Sequence, residues 1–298
     1  MTTFMNPTVA VVGPGAIGTT VAAALHEAGR TPMLCGRTAR ERLELRDGES
    51  LVVVPGPVRT DPALIEKAVD LVFLAVKSTQ IDAAAPWLAA LCHPGTVVCV
   101  LQNGVEQEST VGPHLPGCPV LPAVVWFPAE VQPDGSVWLR REARLTVPDV
   151  PAAGVVLDAL RGSLCAVDLA ADFTSVAWRK LLQNAVAGLM ALSGRRSGMF
   201  GRADVVALSL SYLWECLEVA RAEGAVLGDE VPAEIVASFQ ANPADLGSSI
   251  LADRVAGRPL EWHIRNGVIA RCGRAHGIPT PISDVVVPLL ASASDGPG

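Results

Sequence analysis

One segment of the chain, WRKLLQNAVAG at residues 178–188, holds one of only three lysines among 23 lysine and arginine residues. Lys180 and Asn184 are four positions apart, so a helix would place them on one face. Residues 181–194 carry no other charge, which predicts a largely buried helix. A charge on a buried helix needs a partner or a task. Because a lysine can release its proton whereas an arginine holds it, proton donation is the chemistry we expect of Lys180.

A glycine-rich turn near the N-terminus has the spacing of a dinucleotide-binding loop. The segment GPGAIG fits the pattern G-x-G-x-x-G and lies between an apolar run at residues 9–13 and a helical stretch at residues 16–28. The first glycine allows a tight turn, the second lets backbone amides approach a pyrophosphate, and the third lets helix and strand pack closely. The predicted cofactor-binding residues of this loop are Gly13, Pro14, Gly15, Ala16, Ile17 and Gly18.

The end of the second strand-like run, at residues 32–36, indicates which dinucleotide is bound. An NAD-binding fold usually has Asp or Glu there, where the carboxylate accepts a hydrogen bond from the ribose 2′-hydroxyl. This chain has Arg37 instead. A guanidinium can pair bidentately with a 2′-phosphate, so the sequence favours NADP(H) over NAD(H).

Three further polar residues occupy positions where chemistry is plausible. Lys77 and Asn103 each follow an apolar run, and the carboxyl ends of such strands open onto the ligand crevice of a doubly wound sheet. Each also has an ordinary interpretation, Lys77 as a loop cation and Asn103 with Gly104 as a turn pair. Glu261 begins a late helix, where a carboxylate would favour the helix dipole even without a further role.

Two different secondary-structure patterns divide the chain into two predicted domains. In the first half, short Val/Leu/Ile runs alternate with helical stretches, which is typical of parallel strands buried on both faces and of a doubly wound sheet. Residues 123–131 and 137–147, separated by Pro-Asp-Gly-Ser, are expected to form an antiparallel addition. Helices are then predicted at about residues 174–193, 204–227, 232–240, 248–256, 262–276 and 283–292. We therefore predict an α/β domain at residues 1–168 and an all-helical domain at residues 169–298.

Composition limits the compartment and the partners. The net charge of −7 argues against nucleic acid as a partner, and no stretch reaches the ~20 apolar residues of a membrane span. The N-terminus lacks the positive region of a secretory signal, so we expect a cytoplasmic location. The seven cysteines form no Cys-x-x-Cys pair and the five histidines show no metal-ligand spacing, so we expect reduced thiols and no metal.

Taken together, these motifs resemble the ketopantoate reductase (2-dehydropantoate 2-reductase) family over nearly the whole chain. The shared segments are GPGAIG, AVKS, QNG, WRKLLQN, SSILADRVAGRPLE and AHGIPTP. The resemblance implies a Rossmann domain followed by a helical domain of the 6-phosphogluconate dehydrogenase C-terminal type. It also implies NADPH-dependent reduction of ketopantoate to pantoate, a step of pantothenate and coenzyme A biosynthesis, and it leaves a homodimer open.

The resemblance assigns the chemistry to residues of the second domain. Lys180 would be the general acid that protonates the substrate oxygen while NADPH supplies a hydride to the C2 carbonyl carbon. Glu261 would bind the substrate's hydroxyl, help keep Lys180 charged and contact the cofactor. Ser249 and Asn184 would bind the 2-oxo acid, Ser249 at its carboxylate.

The remaining roles concern the cofactor. Asn103 and Lys77 would line the junction of nicotinamide and substrate, with Asn103 binding both, and Arg37 would bind the 2′-phosphate. The substrate is expected between the two domains, where closure would exclude water.

One departure from the family pattern concerns the substrate. Family members commonly carry a second asparagine one helical step beyond Asn184, where this chain has Gly188. We expect a missing amide contact and some opened volume there, which keeps another 2-oxo acid as an alternative substrate. Two rival functions also stay open. A dehydrogenase of 3-hydroxy acids would need lysine and histidine constellations that are not found here, and a non-catalytic NADP(H) sensor would not need Lys180 together with Glu261.

Overall fold

The computed structural model describes residues 7–115 and 117–296, which fall into two compact units. The first, called the sheet unit below, comprises the described residues up to Gln102 together with Glu106–Phe173. The second, called the helical unit, comprises Asn103–Val105 and the described residues from Thr174 onward.

Strands and helices alternate in the first part of the chain, and only helices follow in the second part. The strands within the described ranges are β1 (Val9–Val12), β2 (Met33–Cys35), β3 (Arg42–Asp47), β4 (Ser50–Pro55), β5 (Leu71–Leu74), β6 (Val97–Val100), β7 (Val120–Pro122), β8 (Val124–Val125), β9 (Ala129–Val131), β10 (Val137–Leu139), β11 (Ala143–Pro148) and β12 (Cys165–Ala170). The helices are α1 (Ala16–Glu27), α2 (Ile81–Leu91), α3 (Gln107–Val111), α4 (Ala153–Leu160), α5 (Phe173–Ser193), α6 (Ala203–Ala222), α7 (Val231–Ala241), α8 (Ser249–Val255), α9 (Val268–His276) and α10 (Pro281–Asp295). A π-helical turn at His263–Gly267 leads into α9.

A parallel sheet with strand order β2-β1-β5-β6-β7 forms the centre of the sheet unit. Strands β1, β5 and β6 are buried along their whole length. Val11 and Phe73 share one hydrophobic core with α1, whereas Ala10 and Val72 share another with α2. Because alternate residues of a strand face opposite sides, the two helices cover opposite faces of the sheet. The predicted fold class, a doubly wound parallel sheet followed by helices, is confirmed.

Two smaller sheets complete the sheet unit, with strand orders β4-β3-β10-β9 and β12-β11-β8. The predicted antiparallel pair exists as β9 and β10, and the amide of Gln132 donates to the carbonyl of Ser136 across the turn at 2.8 Å. The structure differs from the prediction in dividing the second segment. The exposed residues 140–142 separate β10 from β11, which belong to different sheets.

The sequence prediction omitted the β3–β4 hairpin. Its signals are present in the chain: Leu43 and Leu45 alternate with polar residues in β3 and are buried, and Asp47-Gly48 is a hairpin dipeptide. Gly48 has a φ of +58°, a conformation that glycine adopts without strain. The hairpin's buried side chains share a core with α1, so this helix packs against two sheets.

All six helices predicted for the second half are present as α5 to α10. One difference is at the end of α6, which stops at Ala222 rather than near residue 227 because Gly224, with a φ of +90°, turns the chain. Another is at the start of the predicted helix 262–276, where the π-helical turn precedes α9. In α5, the residues from Leu181 to Ala191 are buried except Gln183, as the absence of charge predicted. The polar side chain of Asn184 is therefore held in the interior.

Several sequence expectations concern absences, and the structure addresses them within the described ranges. No helix there is long and apolar enough to cross a membrane. No group of three or more His, Cys, Asp and Glu side chains in the same ranges could hold a metal ion. Six of the seven cysteines are buried, and burial raises the pKa of the Cys35 thiol to about 12.

Candidate active site

The glycine turn has the backbone geometry that a dinucleotide loop requires. Gly13 directly follows β1 with a φ of +90°, and a Cβ there would lie 2.8 Å from the amide nitrogen of Val76. A Cβ on Gly18 would lie 2.3 Å from the carbonyl oxygen of Gly13. Both positions therefore accept only glycine, one because of the turn and one because α1 packs against it.

Gly15 differs from these two glycines. A Cβ added at Gly15 would meet no protein atom within 4 Å, and the residue is exposed at the N-terminus of α1. The first turn of α1 contains no acidic residue, so its positive end has no carboxylate of its own there. This open space over a helix N-terminus suits a pyrophosphate, and the residues present therefore fit a dinucleotide.

Two predicted cofactor residues lie at the strand ends beside this turn. Arg37 follows β2, whose last residue accepts a hydrogen bond from the amide of Gly13 at 2.9 Å. Its side chain is exposed and makes no hydrogen bond or ion pair within the described part of the chain. Lys77 follows β5 on the other side, next to Val76, and is half-buried. The sheet unit thus gathers Gly13, Arg37 and Lys77 at one edge.

Two residues that the sequence did not single out complete this edge. Gln102, buried at the end of β6, donates through Nε2 to the carbonyl of Val76 at 2.9 Å and ties the ends of β5 and β6 together. Arg59 pairs with Cys35 at the end of β2 through an isolated bridge, and its guanidinium lowers the pKa of that thiol against the larger effect of burial. An exposed arginine therefore stands beside the region of Arg37.

In the helical unit, a chain of hydrogen bonds joins three of the predicted substrate residues. Asn184, buried on α5, donates through Nδ2 to Oδ1 of Asn103 at 3.1 Å. Its own Oδ1 accepts from Nη2 of Arg265 at 3.2 Å, and Nη1 of the same guanidinium donates to Oγ of Ser249 at 2.9 Å. The order of the chain is Asn103, Asn184, Arg265, Ser249.

Arg265 holds this arrangement together although the sequence analysis did not include it. Only 2% of the residue is exposed, and its Nε has no hydrogen-bond partner among the described residues. It lies in the π-helical turn, a conformation often found at functional sites because it redirects side chains. Burial lowers the pKa of Arg265, whereas the negative charges of Glu261 and Asp253 oppose that shift. Glu261 is itself buried.

Lys180 lies one helical turn before Asn184 and is half-buried. Removal from water lowers its pKa to about 8, and the positive charge of Arg265 contributes in the same direction. A lysine with such a pKa is partly deprotonated in neutral solution and can exchange its proton. Lys180 and Glu261 thus share one charged neighbour, Arg265.

These side chains can recognise an anion and move a proton. The hydrogen-bonded side chains offer amide and hydroxyl hydrogens beside two cationic groups. This arrangement is complementary to a carboxylate with an adjacent carbonyl. The sheet unit offers a turn that fits a dinucleotide. Each unit therefore contains part of what a nicotinamide-dependent reduction of a 2-oxo acid requires.

Comparison with protein families agrees with this chemistry. Residues 9–152 match the family model described as ketopantoate reductase PanE/ApbA, and residues 172–293 match the model of its C-terminal domain. The chain belongs to the ketopantoate reductase family. Membership makes it an oxidoreductase, and the Rossmann-type sheet unit with its helical partner is the family's fold.

Individual relatives extend over nearly the full length. A 2-dehydropantoate 2-reductase of Mycobacterium tuberculosis is 61% identical over 291 residues, which cover 97% of this chain and 99% of the relative. One of Caulobacter vibrioides is 37% identical over 289 residues, covering 96% and 99% respectively. A solved structure described as a dimeric ketopantoate reductase from Staphylococcus aureus superposes with a TM-score of 0.87 at 28% identity, covering 98% of this chain and 100% of that one.

One expectation about the ketopantoate reductase pattern is wrong. At Gly188, where the resemblance implies a second asparagine, the sequence predicts some opened volume. A Cβ at Gly188 would instead lie 2.8 Å from Nδ2 of Asn266 and 3.2 Å from a methyl carbon of Leu290. The Asn266 amide is fully buried and donates to the carbonyl of Ala185 and the hydroxyl of Tyr212. The space is therefore filled from the π-helical turn.

Proposed function

We propose that this ketopantoate reductase family member reduces 2-dehydropantoate to pantoate with NADPH. The observation that carries the proposal is the hydrogen-bonded chain from Asn103 to Ser249, which lies beside a lysine with a lowered pKa. The identity of the substrate is supported by the names of the relatives, which are 2-dehydropantoate 2-reductases at up to 61% identity.

The cofactor is assigned to the sheet unit, proposed as the NADP-binding domain of residues 1–168. Backbone amides of the loop from Gly13 to Gly18 hold the pyrophosphate at the N-terminus of α1. Arg37 binds the 2′-phosphate, and its exposed guanidinium supports this role. Lys77 and Asn103 contact the nicotinamide end, with Glu261 as a further contact.

The substrate is assigned to residues of the helical unit, proposed as the catalytic domain of residues 169–298. Ser249 donates its hydroxyl hydrogen to the carboxylate of the 2-oxo acid. Asn184 and Asn103 donate amide hydrogens to its oxygens, and Glu261 accepts a hydrogen bond from its hydroxyl group. The two cations, half-buried Lys180 and buried Arg265, favour a substrate that carries a negative charge.

In the reaction, NADPH supplies the hydride that reduces the carbonyl carbon. Lys180 donates one proton to the carbonyl oxygen, which becomes the hydroxyl of the product, and the neutral amine then recovers a proton from solvent. Before the transfer, its ammonium stabilises the negative charge that develops on that oxygen. The negative charge of Glu261 helps to keep Lys180 and Arg265 protonated.

The test is oxidation of reduced nicotinamide by the purified protein with a panel of 2-oxo acids. The panel contains 2-dehydropantoate, 2-oxoisovalerate and acids with larger side chains, each with NADPH and with NADH. We expect the highest kcat/KM for 2-dehydropantoate with NADPH. A higher kcat/KM for another 2-oxo acid would establish the alternative substrate, and no oxidation with any acid would reject the reductase proposal.

We also propose that the protein is a homodimer. The solved relative from Staphylococcus aureus is described as dimeric, and it aligns over 98% of this chain. Analytical ultracentrifugation of the purified protein at several concentrations tests this proposal. A single species with the mass of one chain at every concentration would reject it.

A further inference from the structure

The guanidinium of Arg265 contacts two groups that bind substrate in the proposed function. Nη1 donates to Ser249 at 2.9 Å and Nη2 donates to Asn184 at 3.2 Å. These partners are 16 and 81 positions away in the sequence, so three separate elements meet at one side chain. Burying a guanidinium is unfavourable unless its charge and its hydrogens are used, which argues for a specific task.

The task follows from the fact that arginine has hydrogen-bond donors and no acceptor. Any group in contact with Arg265 must present an oxygen to it. Asn184 therefore turns Oδ1 toward the guanidinium and is left with Nδ2 to donate. Ser249 accepts through a lone pair of Oγ, which leaves its hydroxyl hydrogen to donate elsewhere. An aliphatic residue in place of Arg265 would leave both orientations open, and a carboxylate, which only accepts hydrogen bonds, would reverse them.

The same polarity passes on to the next residue of the chain. Nδ2 of Asn184 donates to Oδ1 of Asn103, so the amide group of Asn103 is oriented with its Nδ2 left to donate. One donor-only side chain thus orients two amides and one hydroxyl. Ser249 is exposed, and its hydroxyl hydrogen has no acceptor among the described residues.

The carboxylate and the carbonyl oxygens of a 2-oxo acid are hydrogen-bond acceptors, since they carry lone pairs and no hydrogen. We infer that Arg265 is a positioning residue that makes Ser249, Asn184 and Asn103 hydrogen-bond donors toward the carboxylate and carbonyl of the substrate. This inference rests on the proposed function. It assigns to Arg265 a part in selecting 2-oxo acids over the corresponding neutral ketones or alcohols.

The charge of Arg265 acts on the same site. It lowers the pKa of Lys180 in addition to the larger effect of burial, so it makes the ammonium a better proton donor. The carboxylates of Glu261 and Asp253 face Arg265 and help it to keep its charge. Asp253 also accepts a hydrogen bond from Arg258 at 2.9 Å. Arg258 therefore serves as a control, because it pairs with one of the carboxylates whose charge acts on Arg265 and is itself largely exposed.

The first experiment compares Arg265→Met and Arg265→Lys with Arg258→Gln in steady-state assays. Loss of the oriented donors weakens binding of ground state and transition state alike, so KM for 2-dehydropantoate should rise about 10- to 100-fold in Arg265→Met, with a smaller change in kcat. Arg265→Lys should retain the effect on Lys180 but recover KM only in part, because an ammonium lacks the planar fork. Arg258→Gln should leave KM within about twofold.

A double-mutant cycle separates positioning from mere support of the fold. If Arg265 acts through Ser249, then Ser249→Ala should raise KM in the wild-type background and have little further effect in the Arg265→Met background. Fully additive effects of the two substitutions on KM would overturn the inference.

Titration of Lys180 provides a readout that needs no turnover. With lysine labelled at Cε, three resonances are expected, and a Lys180→Arg variant assigns the one of interest. Its pKa should rise in Arg265→Met and stay close to the wild-type value in Arg258→Gln and Arg265→Lys. An unchanged pKa of Lys180 in folded Arg265→Met would overturn the inferred effect of the Arg265 charge on Lys180. Absence of turnover by the wild-type protein would count against the proposed function instead, whichever way the titration came out.

Discussion

The side chain of Asn266 lies over Gly188, with its Nδ2 only 2.8 Å from the place where a Cβ on the glycine would stand. Hydrogen bonds from this Nδ2 to the hydroxyl of Tyr212 and to the carbonyl of Ala185 hold the amide in that position. Glycine on α5 and asparagine in the π-helical turn are therefore matched in shape. The chain differs from the family pattern at Gly188 without having a cavity there.

Gly188→Ala should consequently destabilise the helical unit. Glycine-to-alanine replacement inside a helix normally stabilises by about 0.5–1 kcal/mol, but here Asn266 must move and lose buried hydrogen bonds, at about 1–3 kcal/mol. We expect a net decrease in the free energy of unfolding, measured by urea denaturation. Gly201→Ala in the same unit is the control, since its Cβ would meet nothing within 4 Å. Equal stability of the two variants would contradict the close packing.

Local patterns were sufficient to predict much of the molecule. The strand–glycine–helix segment at Gly13 and the uncharged run after Lys180 are properties of consecutive residues, and both appear as expected. Arg265 could not be found in this way. In the sequence it resembles a helical arginine four residues after Glu261, and its burial depends on a π-helical turn and on partners 16 and 81 positions away. The filled space at Gly188 has the same origin, because Asn266 reaches it only in the folded chain.

Lys180→Ala should lower kcat by about 10²–10⁴, the usual range for a positioned general acid. Lys180→Arg should be similarly slow despite its positive charge, since a guanidinium does not release its proton at neutral pH. Stopped-flow measurement of NADPH oxidation gives both rates. Lys67→Ala removes an exposed lysine and should behave as wild type. A near-normal rate for Lys180→Ala would show that another group protonates the substrate.

The activity should decline as the solution becomes alkaline. Burial and Arg265 lower the pKa of Lys180 to about 8, and the proposed acid works only in its protonated form. Hence kcat/KM for 2-dehydropantoate, which reports the substrate-free enzyme, should be constant below that pH and fall tenfold per pH unit above it. The profile is measured with NADPH at saturation. A constant kcat/KM up to pH 10 would be incompatible with a pKa of about 8 for the acid.

Arg37→Ala should weaken NADPH far more than NADH. The exposed guanidinium follows β2 and is proposed to pair with the 2′-phosphate, a charge-assisted contact of about 1.5–3 kcal/mol or about 10- to 100-fold in affinity. Tryptophan fluorescence or calorimetry measures the two dissociation constants. Arg46→Ala, which removes another exposed arginine of the sheet unit, is the control. An equal loss for both dinucleotides would remove the argument for phosphate recognition at Arg37.

Two substitutions in the glycine turn should separate cofactor binding from folding. A Cβ on Gly15 meets no protein atom within 4 Å, so Gly15→Ala should fold with wild-type stability and yet bind NADPH at least tenfold more weakly, because the methyl group occupies the space proposed for the pyrophosphate. A Cβ on Gly18 would approach the carbonyl oxygen of Gly13 to 2.3 Å, so Gly18→Ala should lower the melting temperature of the protein without its cofactor. Thermal melts with and without NADPH provide both measurements. Unimpaired NADPH binding by Gly15→Ala would mean that the dinucleotide does not approach the backbone at this turn.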